Sequence, residues 1–342
     1  MKTIQNNSDF LFLYEAINCN PNGDPDQENK PRMDYDTQTN LVTDTRVKRY
    51  IRDYFMQKGK DVFVSMEDNA KVSVDSKLKA VVKRTIENKE ELKKAFSDNE
   101  GALEVYQGII EDKKNAEEVW KEITKKKFNH KEVNYELLAY LVKEKFIDIR
   151  LFGSAFAVGG FTRAYTGPVQ LNWGYSLNDV YLIDSDSIVT IMNDDSSTFG
   201  KDYRIYYSLL GFHGVVNKHS AQSTGLSDSD MGKFRDAIWN AIPSLPTRSK
   251  LNQYPKFYLE IIYNDGYHNG HFGDLRDYIK CAPKDGLDSF KKVRKYNDLN
   301  VDFSELNQLI SDHKGSEKDS DGNYLNPIKE VKVKTAHGIN FS

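Results

Sequence analysis

An apolar, strand-like run at residues 10–17 (FLFLYEAI) empties into a loop of proline, glycine, asparagine and aspartate at residues 18–26 (NCNPNGDPD), and the chain re-forms as a basic helix after Thr43. An apolar run of this length bounded by turn residues predicts a strand, and the turn residues predict a long loop. Val47, Ile51, Tyr54 and Phe55 then recur at helical spacing and supply a buried face, with Thr43 or Asp44 as the cap. A helix N-terminus presents unpaired N–H groups and a partial positive charge. Here side-chain cations are added to it: between residues 43 and 60, six basic residues (Arg46, Lys48, Arg49, Arg52, Lys58, Lys60) stand against two acidic ones (Asp44, Asp53). Strand, long loop and basic helix predict a phosphate grip; the competing reading of the same charges is a solvated helix face.

The loop also imitates the opening of a calcium-binding EF-hand through Asn18, Asn20, Asn22, Gly23 and Asp24. The twelfth position, where a bidentate Glu closes such a site, is Asn29, and Pro25 interrupts the loop. No metal or cofactor is expected.

A net charge of −3 over 342 residues excludes a generic nucleic-acid coat, so any groove for RNA must come from local placement of charge. Cys19 and Cys281 are the only cysteines, which leaves neither a disulfide framework nor a zinc-binding pair. The N-terminus lacks an apolar signal core and no long apolar run occurs, so neither export nor a membrane span is expected and the predicted location is cytoplasmic.

Residues 70–130 are rich in Lys and Glu, with Leu92, Phe96, Leu103, Val105, Ile109, Ile110, Val119 and Trp120 at helical intervals, and read as a solvated helical insertion. At 146–152 apolar and charged residues alternate as in a strand start. Gly153, Gly159, Gly160 and Gly167 follow, interleaved with Phe152, Phe156, Phe161 and Tyr165 and with Arg150 and Arg163. Aromatic and basic residues among glycines can stack bases and hold phosphate, and the alternative for Phe152 and Phe156 is plain core. Residues 169–175 alternate as one strand, which offers Gln170, Asn172 and Trp173 for polar readout of RNA. Residues 187–192 and 203–207 predict two strands around the polar turn 193–200. His213, His219, His268 and His271 lack the helical His-x-x-x-His spacing of a metal pair and read as structural or surface residues.

Four segments taken together resemble a known family: 20–26 running on through Arg52, 148–153, 166–171, and a weaker one from 211–214 through 224–228. In this order, over roughly the first 230 residues, they are similar to the Cas-seven family, the repeated backbone subunit of type I CRISPR Cascade complexes, closest to its type I-B branch. The resemblance implies an α+β fold: an RRM-like (ferredoxin-like) antiparallel-sheet palm as a single domain over 1–342, a helical insertion at 70–130, and a β-hairpin thumb at 180–204. The implied function is to polymerise head to tail along a guide RNA (crRNA) and present it for pairing with target DNA in antiviral defence. Its partners would be crRNA, target DNA through the guide, other copies of itself, other Cascade subunits and a recruited helicase-nuclease.

The implied RNA contacts are Asn22, Arg32, Thr43, Thr45, Arg46, Lys48, Arg49, Arg52, Arg150, Phe152, Gly153, Phe161, Arg163, Tyr165, Gln170, Asn172 and Lys218. The family's thumb displaces one base at regular intervals. Here Asp184, Asp186, Asp194, Asp195 and Asp202 outnumber Lys201, so an apolar wedge at Ile191 or Met192 is expected in place of a charged grip. The type I branch binds without cutting, so no enzymatic activity is expected. Two rivals stand beside this reading: a sequence-specific single-stranded RNA-binding protein, and a metal-dependent ribonuclease built on Asp24, Asp26, Asp34 and Asp36.

Overall fold

The apolar run lies inside a twelve-residue strand, β1 (Ser8–Cys19). The computed structural model describes residues 2–64, 74–97, 99–113, 115–183, 187–193 and 196–341. They divide into two compact units: a sheet unit (Gln5–Tyr54, Val169–Asn217, Arg235–Ser342) and a helical unit (Met1–Ile4, Phe55–Pro168, Lys218–Phe234). Mixed helix with an antiparallel sheet is the α+β class expected.

In the sheet unit β1 pairs antiparallel with Ile205–Val216 on one side and Gln253–Tyr263 on the other. The sheet runs in the order Ile328–Thr335, Gln253–Tyr263, β1, Ile205–Val216, Gly174–Ser176, Thr39–Val42, Met33–Asp34, with Val169–Leu171 also paired to Ile205–Val216. Side chains alternate across β1. Leu11 and Leu13 join Tyr207, Leu209, Phe257, Leu259 and Ile261 in one core. From the other face Phe10 stacks on Tyr258 at 6.0 Å and Tyr14 on Phe212 at 5.9 Å. With both faces buried the strand needs no polar positions, which is why it reads as nearly continuous apolar sequence. Each fully buried aromatic or leucine contributes about 1.5–3 kcal/mol. Gly214 makes room for one of them: a Cβ there would stand 2.3 Å from the Phe10 ring.

After β1 the helix α1 (Asp44–Gln57) contributes residues 44–54 to this unit; Val47, Ile51 and Tyr54 are buried as the spacing predicts, as is Phe55 at the start of the helical unit, and Tyr50 is buried beside them. Residues 169–175, expected as one strand, form Val169–Leu171 and Gly174–Ser176, with Asn172 and Trp173 exposed between them. The predicted hairpin is also re-drawn. Ser187–Asn193 pairs with Ser196–Lys201, and residues 205–207 belong instead to the long sheet strand Ile205–Val216. Hydrogen bonding to β1 along that whole strand outweighs the local turn signal. Asp184, Asp186, Asp194 and Asp195, and the side chains of Ile191 and Met192, lie outside the described residues.

The helical unit contains Val74–Glu87, Lys89–Ala95, Glu100–Glu111, Ala116–Ile123, Lys131–Glu144 and Ile147–Phe152. Three starts are fixed by asparagine caps: Asn88, Asn99 and Asn115 accept from the N–H of Glu91, Ala102 and Glu118 at 3.1, 3.0 and 3.0 Å. Their core joins Leu78, Val82, Tyr106, Ile123, Leu137, Leu141 and Phe146 to a hairpin, Gly153–Val158 with Phe161–Thr166. Trp120 lies parallel to Phe161 at 5.7 Å. Helical structure therefore extends well beyond the expected 70–130 and packs on a hairpin of its own.

Residues 147–152 are a helix and not the start of a strand. The charged positions that imitated a solvent-facing period are themselves buried. Asp148 accepts from the N–H of Phe63 and Val64 at 2.8 and 3.0 Å, and Arg150 is consumed by partners described below. At Gly153 the helix turns into the hairpin with φ +72°, where a Cβ would meet the Tyr165 carbonyl at 2.2 Å. The close approach that glycine permits here is to the chain's own backbone.

Candidate nucleic-acid interface

The loop after β1 is ordered by its own polar side chains. Asn18 leaves the strand with φ +46°. The Asn22 Oδ1 accepts from the Thr43 N–H at 2.9 Å and from its hydroxyl at 3.0 Å, and the Thr43 Oγ1 accepts from the Arg46 N–H at 3.2 Å. Thr43 is thus the cap of α1, and Asn22, distant in sequence, holds the cap in place. The side chain of Thr45 is exposed beside them.

The cations on α1 differ in how far they are neutralised. Lys48 pairs with Asp44 at 2.8 Å and Arg49 with Asp53 at 2.6 Å, each one helical turn away. Such pairs are worth only about 0.3–0.5 kcal/mol and yield readily to a phosphate. Arg46 has no acidic partner among the described residues: its Nη2 donates to the Tyr50 hydroxyl at 3.0 Å, with the guanidinium 4.3 Å from that ring's centre. Arg52 is half-buried on the same helix. Arg32 lies 3.4 Å from Asp24 and over the exposed Trp173 ring at 5.9 Å, so the structure joins two segments distant in sequence into one basic and aromatic surface. Gln170 and Asn172 are exposed near this indole in sequence. At the base of the 187–201 hairpin, Lys201 and the Tyr203 hydroxyl both reach Glu28, at 3.0 and 2.9 Å.

One cation escaped the sequence reading. Lys250 donates to the Asn20 carbonyl, its segment being held to the loop by the Asn20 N–H to Ser249 carbonyl bond of 2.9 Å. Burial, with the nearby Arg46 charge, pushes its ammonium down to about 8. A single lysine in a polar stretch carries no sequence signal; only the backbone pairing brings it to α1.

The loop aspartates do turn chemistry. Asp24 accepts from the Asp26 N–H at 3.2 Å and Asp34 from the Asp36 N–H at 3.1 Å, and the Thr37 hydroxyl is the main cause of Asp34's lowered pKa. Among the described residues no group of three or more His, Cys, Asp or Glu could hold a metal ion. The calcium imitation closes on itself, because the carbonyl of Asn29 accepts from the Asn20 amide at 2.8 Å.

In the helical unit most of the predicted contacts are core. Arg150 makes a bidentate pair with Asp230 (2.9 and 3.0 Å) and donates to the Val142 and Lys143 carbonyls at 3.3 and 2.9 Å. Phe152 packs edge-on against Phe234, Phe161 is covered by Trp120, and Tyr165 meets Phe156 edge to face. All four side chains are buried: Phe161 and Tyr165 belong to the hydrophobic core of the helical unit, while Phe152 packs on Phe234 and Arg150 is held by Asp230 and two carbonyls. Arg163 is exposed, 5.1 Å over the Tyr165 ring, and Lys218 begins the Lys218–Thr224 helix half-buried. His213 is buried in the sheet unit and its Nδ1 accepts from the Leu275 N–H at 3.3 Å. Burial lowers its pKa against the opposing charges of Asp274 and Asp9. His219, His268 and His271 are exposed.

Comparison with known proteins identifies this assembly of parts. Two solved chains are similar at low identity: one from a CRISPR RNA-guided surveillance complex in a pre-nicking state (TM-score 0.46, 14% identity, 77% of this chain and 80% of that one) and one from a CRISPR RNA-guided surveillance complex (TM-score 0.38, 15%, 77% and 78%). The CRISPR-associated protein Cas7 of Haloferax volcanii is 30% identical over 331 residues, which covers 90% of this chain and 84% of that protein. The family model described as CRISPR-associated protein Cas7 matches residues 6–304. This chain belongs to the family of CRISPR-associated protein Cas7.

Proposed function

We propose that this chain is the repeated, guide-RNA-binding backbone subunit of a type I CRISPR surveillance complex (Cascade), of the I-B branch and cytoplasmic. The observation that carries the reading is the family match over residues 6–304. The subunit polymerises head to tail along crRNA, gripping phosphates through Arg32, Arg46, Lys48, Arg49 and Arg52 on the sheet unit and through Arg163 on the helical unit. Backbone contacts carry no base sequence, so any spacer can be loaded, and pairing of the displayed bases with target DNA supplies specificity. The subunit binds and does not cut; other Cascade subunits complete the particle and a recruited helicase-nuclease cleaves.

The RRM-like palm is supported by connectivity. β1 is followed by α1, Gly174–Ser176 pairs with Ile205–Val216, and the helix Asp228–Asn240 leads into Gln253–Tyr263. The resulting order, Gln253–Tyr263, β1, Ile205–Val216, Gly174–Ser176, is that of a βαββαβ sheet. The hairpin 187–201 is read as the thumb, with Ile191 or Met192 as its wedge.

Mixed-sequence RNAs of increasing length test the proposal in solution. The bound mass is expected to rise in subunit-sized steps with RNA length, because head-to-tail contacts are heterologous and open-ended. One subunit bound at every length, or binding to one preferred sequence, would replace the proposal with a discrete RNA-binding module.

A further inference from the structure

Two cations of the sheet unit are tied to one polar cluster: Arg46 donates to the Tyr50 hydroxyl at 3.0 Å, and the Gln253 amide donates both to that hydroxyl at 3.5 Å and to the Lys250 carbonyl at 2.8 Å. Arg46 comes from the first turn of α1, and Lys250 from the segment preceding Gln253–Tyr263. Lys250 is half-buried and its ammonium donates to the Asn20 carbonyl, while Arg46 donates to the Tyr50 hydroxyl. Neither has an ion pair among the described residues, while the lysines and arginines around them (Arg32, Lys48, Arg49, Arg204, Arg248) each have one. The Arg46 Nε and the Asn20 Oδ1 beside them are buried without a hydrogen-bond partner. Two adjacent half-buried cations with an unused N–H donor form an unfavourable arrangement in the protein alone. An oxyanion offering two oxygens relieves it by accepting from the guanidinium and the ammonium together.

We propose that Arg46 and Lys250 together clasp one phosphodiester of the bound RNA strand. The proposal rests on the RNA-binding reading above and adds to it a residue and a proton. The titratable and charged groups facing Lys250 are Arg46 from α1 and Cys19 from β1, with Tyr14 and Tyr50 beyond them and Arg204 acting on Cys19. Burial pushes the Cys19 thiol up to about 12 and raises the Tyr14 phenol well above its ordinary value, so both stay neutral where Lys250 titrates. Burial and the Arg46 charge hold Lys250 at about 8 in the free protein. A phosphate removes part of that penalty and moves the lysine back towards its ordinary value near 10.4. Binding therefore takes up a proton, and affinity falls as pH rises through about 8.

Fluorescent RNA made only of adenosine and cytidine, whose bases do not titrate in this interval, tests the clasp with wild type, Lys250→Arg and Lys250→Gln between about pH 7 and about pH 9. Wild type is expected to weaken about fivefold to tenfold over the interval. Lys250→Arg should stay tight and flat, and Lys250→Gln should bind about tenfold more weakly at the lower pH and show no slope. Thermal melting checks that each variant folds, and the arginine variant keeps the test valid if the glutamine one does not. A wild-type slope retained in Lys250→Arg overturns the clasp. So does Lys250→Gln binding like wild type while Lys48→Glu with Arg49→Glu is weakened, and in that case the RNA-binding reading survives. Wild type that binds no RNA of any length removes both. Inorganic phosphate bound at the pair in ³¹P NMR, with RNA affinity unchanged by Lys250→Gln, assigns a free-anion site and also overturns the proposal.

Discussion

Arg150→Met is expected to destabilise the helical unit by about 3–5 kcal/mol at neutral pH, measured by denaturant or thermal unfolding. Asp230 is 2% exposed, and the guanidinium supplies two of its hydrogen bonds while also satisfying the Val142 and Lys143 carbonyls near the end of Lys131–Glu144. Removing the arginine leaves the two carbonyls without the guanidinium and the buried carboxylate with only the longer bonds from Ser227 and Lys233, at 3.1 and 3.3 Å. The pH dependence gives a second handle. Burial pushes the Asp230 carboxyl up, but the Arg150 bonds and charge, with Lys233, outweigh it and hold the pKa below its ordinary value. A carboxylate whose folded pKa is depressed adds stability above its unfolded pKa and loses it as pH falls through the folded one. In the variant the burial effect is left uncompensated and Asp230 takes up a proton more readily. The deficit of Arg150→Met against wild type should therefore be widest at neutral pH and narrow below about pH 4. An unchanged melting curve, with RNA affinity reduced instead, would mean that Arg150 is a ligand contact after all.

Lys48→Glu with Arg49→Glu should do the opposite. The double reversal removes two cations from the start of α1, adds two anions, and frees Asp44 and Asp53 from their partners. Losing two phosphate contacts and gaining repulsion in the same groove is expected to weaken RNA binding by about a hundredfold or more at moderate salt and to flatten the salt dependence. The fold should lose only about 1 kcal/mol, because each helical ion pair is worth about 0.3–0.5 kcal/mol. Filter binding at several salt concentrations, beside a melting curve, separates the two variants: one loses stability, the other affinity.

Much of the sheet unit was legible because its local signals agree with its tertiary role. β1 is apolar because it is covered on both faces, and Thr43 caps α1 where the residue pattern placed it. Asn88, Asn99 and Asn115 cap three helices of the helical unit, a start signal that the apolar spacing alone does not contain. Legibility failed at residues 147–152, where the charged residues are buried. Asp148 and Arg150 made a helix look like an alternating strand, since alternation reports a solvent face only when the polar positions reach solvent. The aromatics Phe152, Phe161 and Tyr165 looked like stacking platforms because their glycine-rich surroundings mark close approach without saying to what; the approach is of the chain to itself. The hairpin strand was misplaced because pairing along all of Ile205–Val216 is a long-range fact that a local turn signal does not contain. Lys250 was invisible for the same reason: a backbone bond between Asn20 and Ser249 brings it to Arg46.

The central claim, that copies of this chain assemble along a guide RNA, is tested most directly by the native mass of the particle that co-purifies when the chain is expressed with a CRISPR array and its accessory subunits, together with sequencing of the RNA it carries. A large particle holding several copies of this chain on one repeat-flanked guide, and lost in Lys48→Glu with Arg49→Glu, is the predicted result. A monomer without RNA, or one copy bound to a single recurring sequence unrelated to the array, would contradict it.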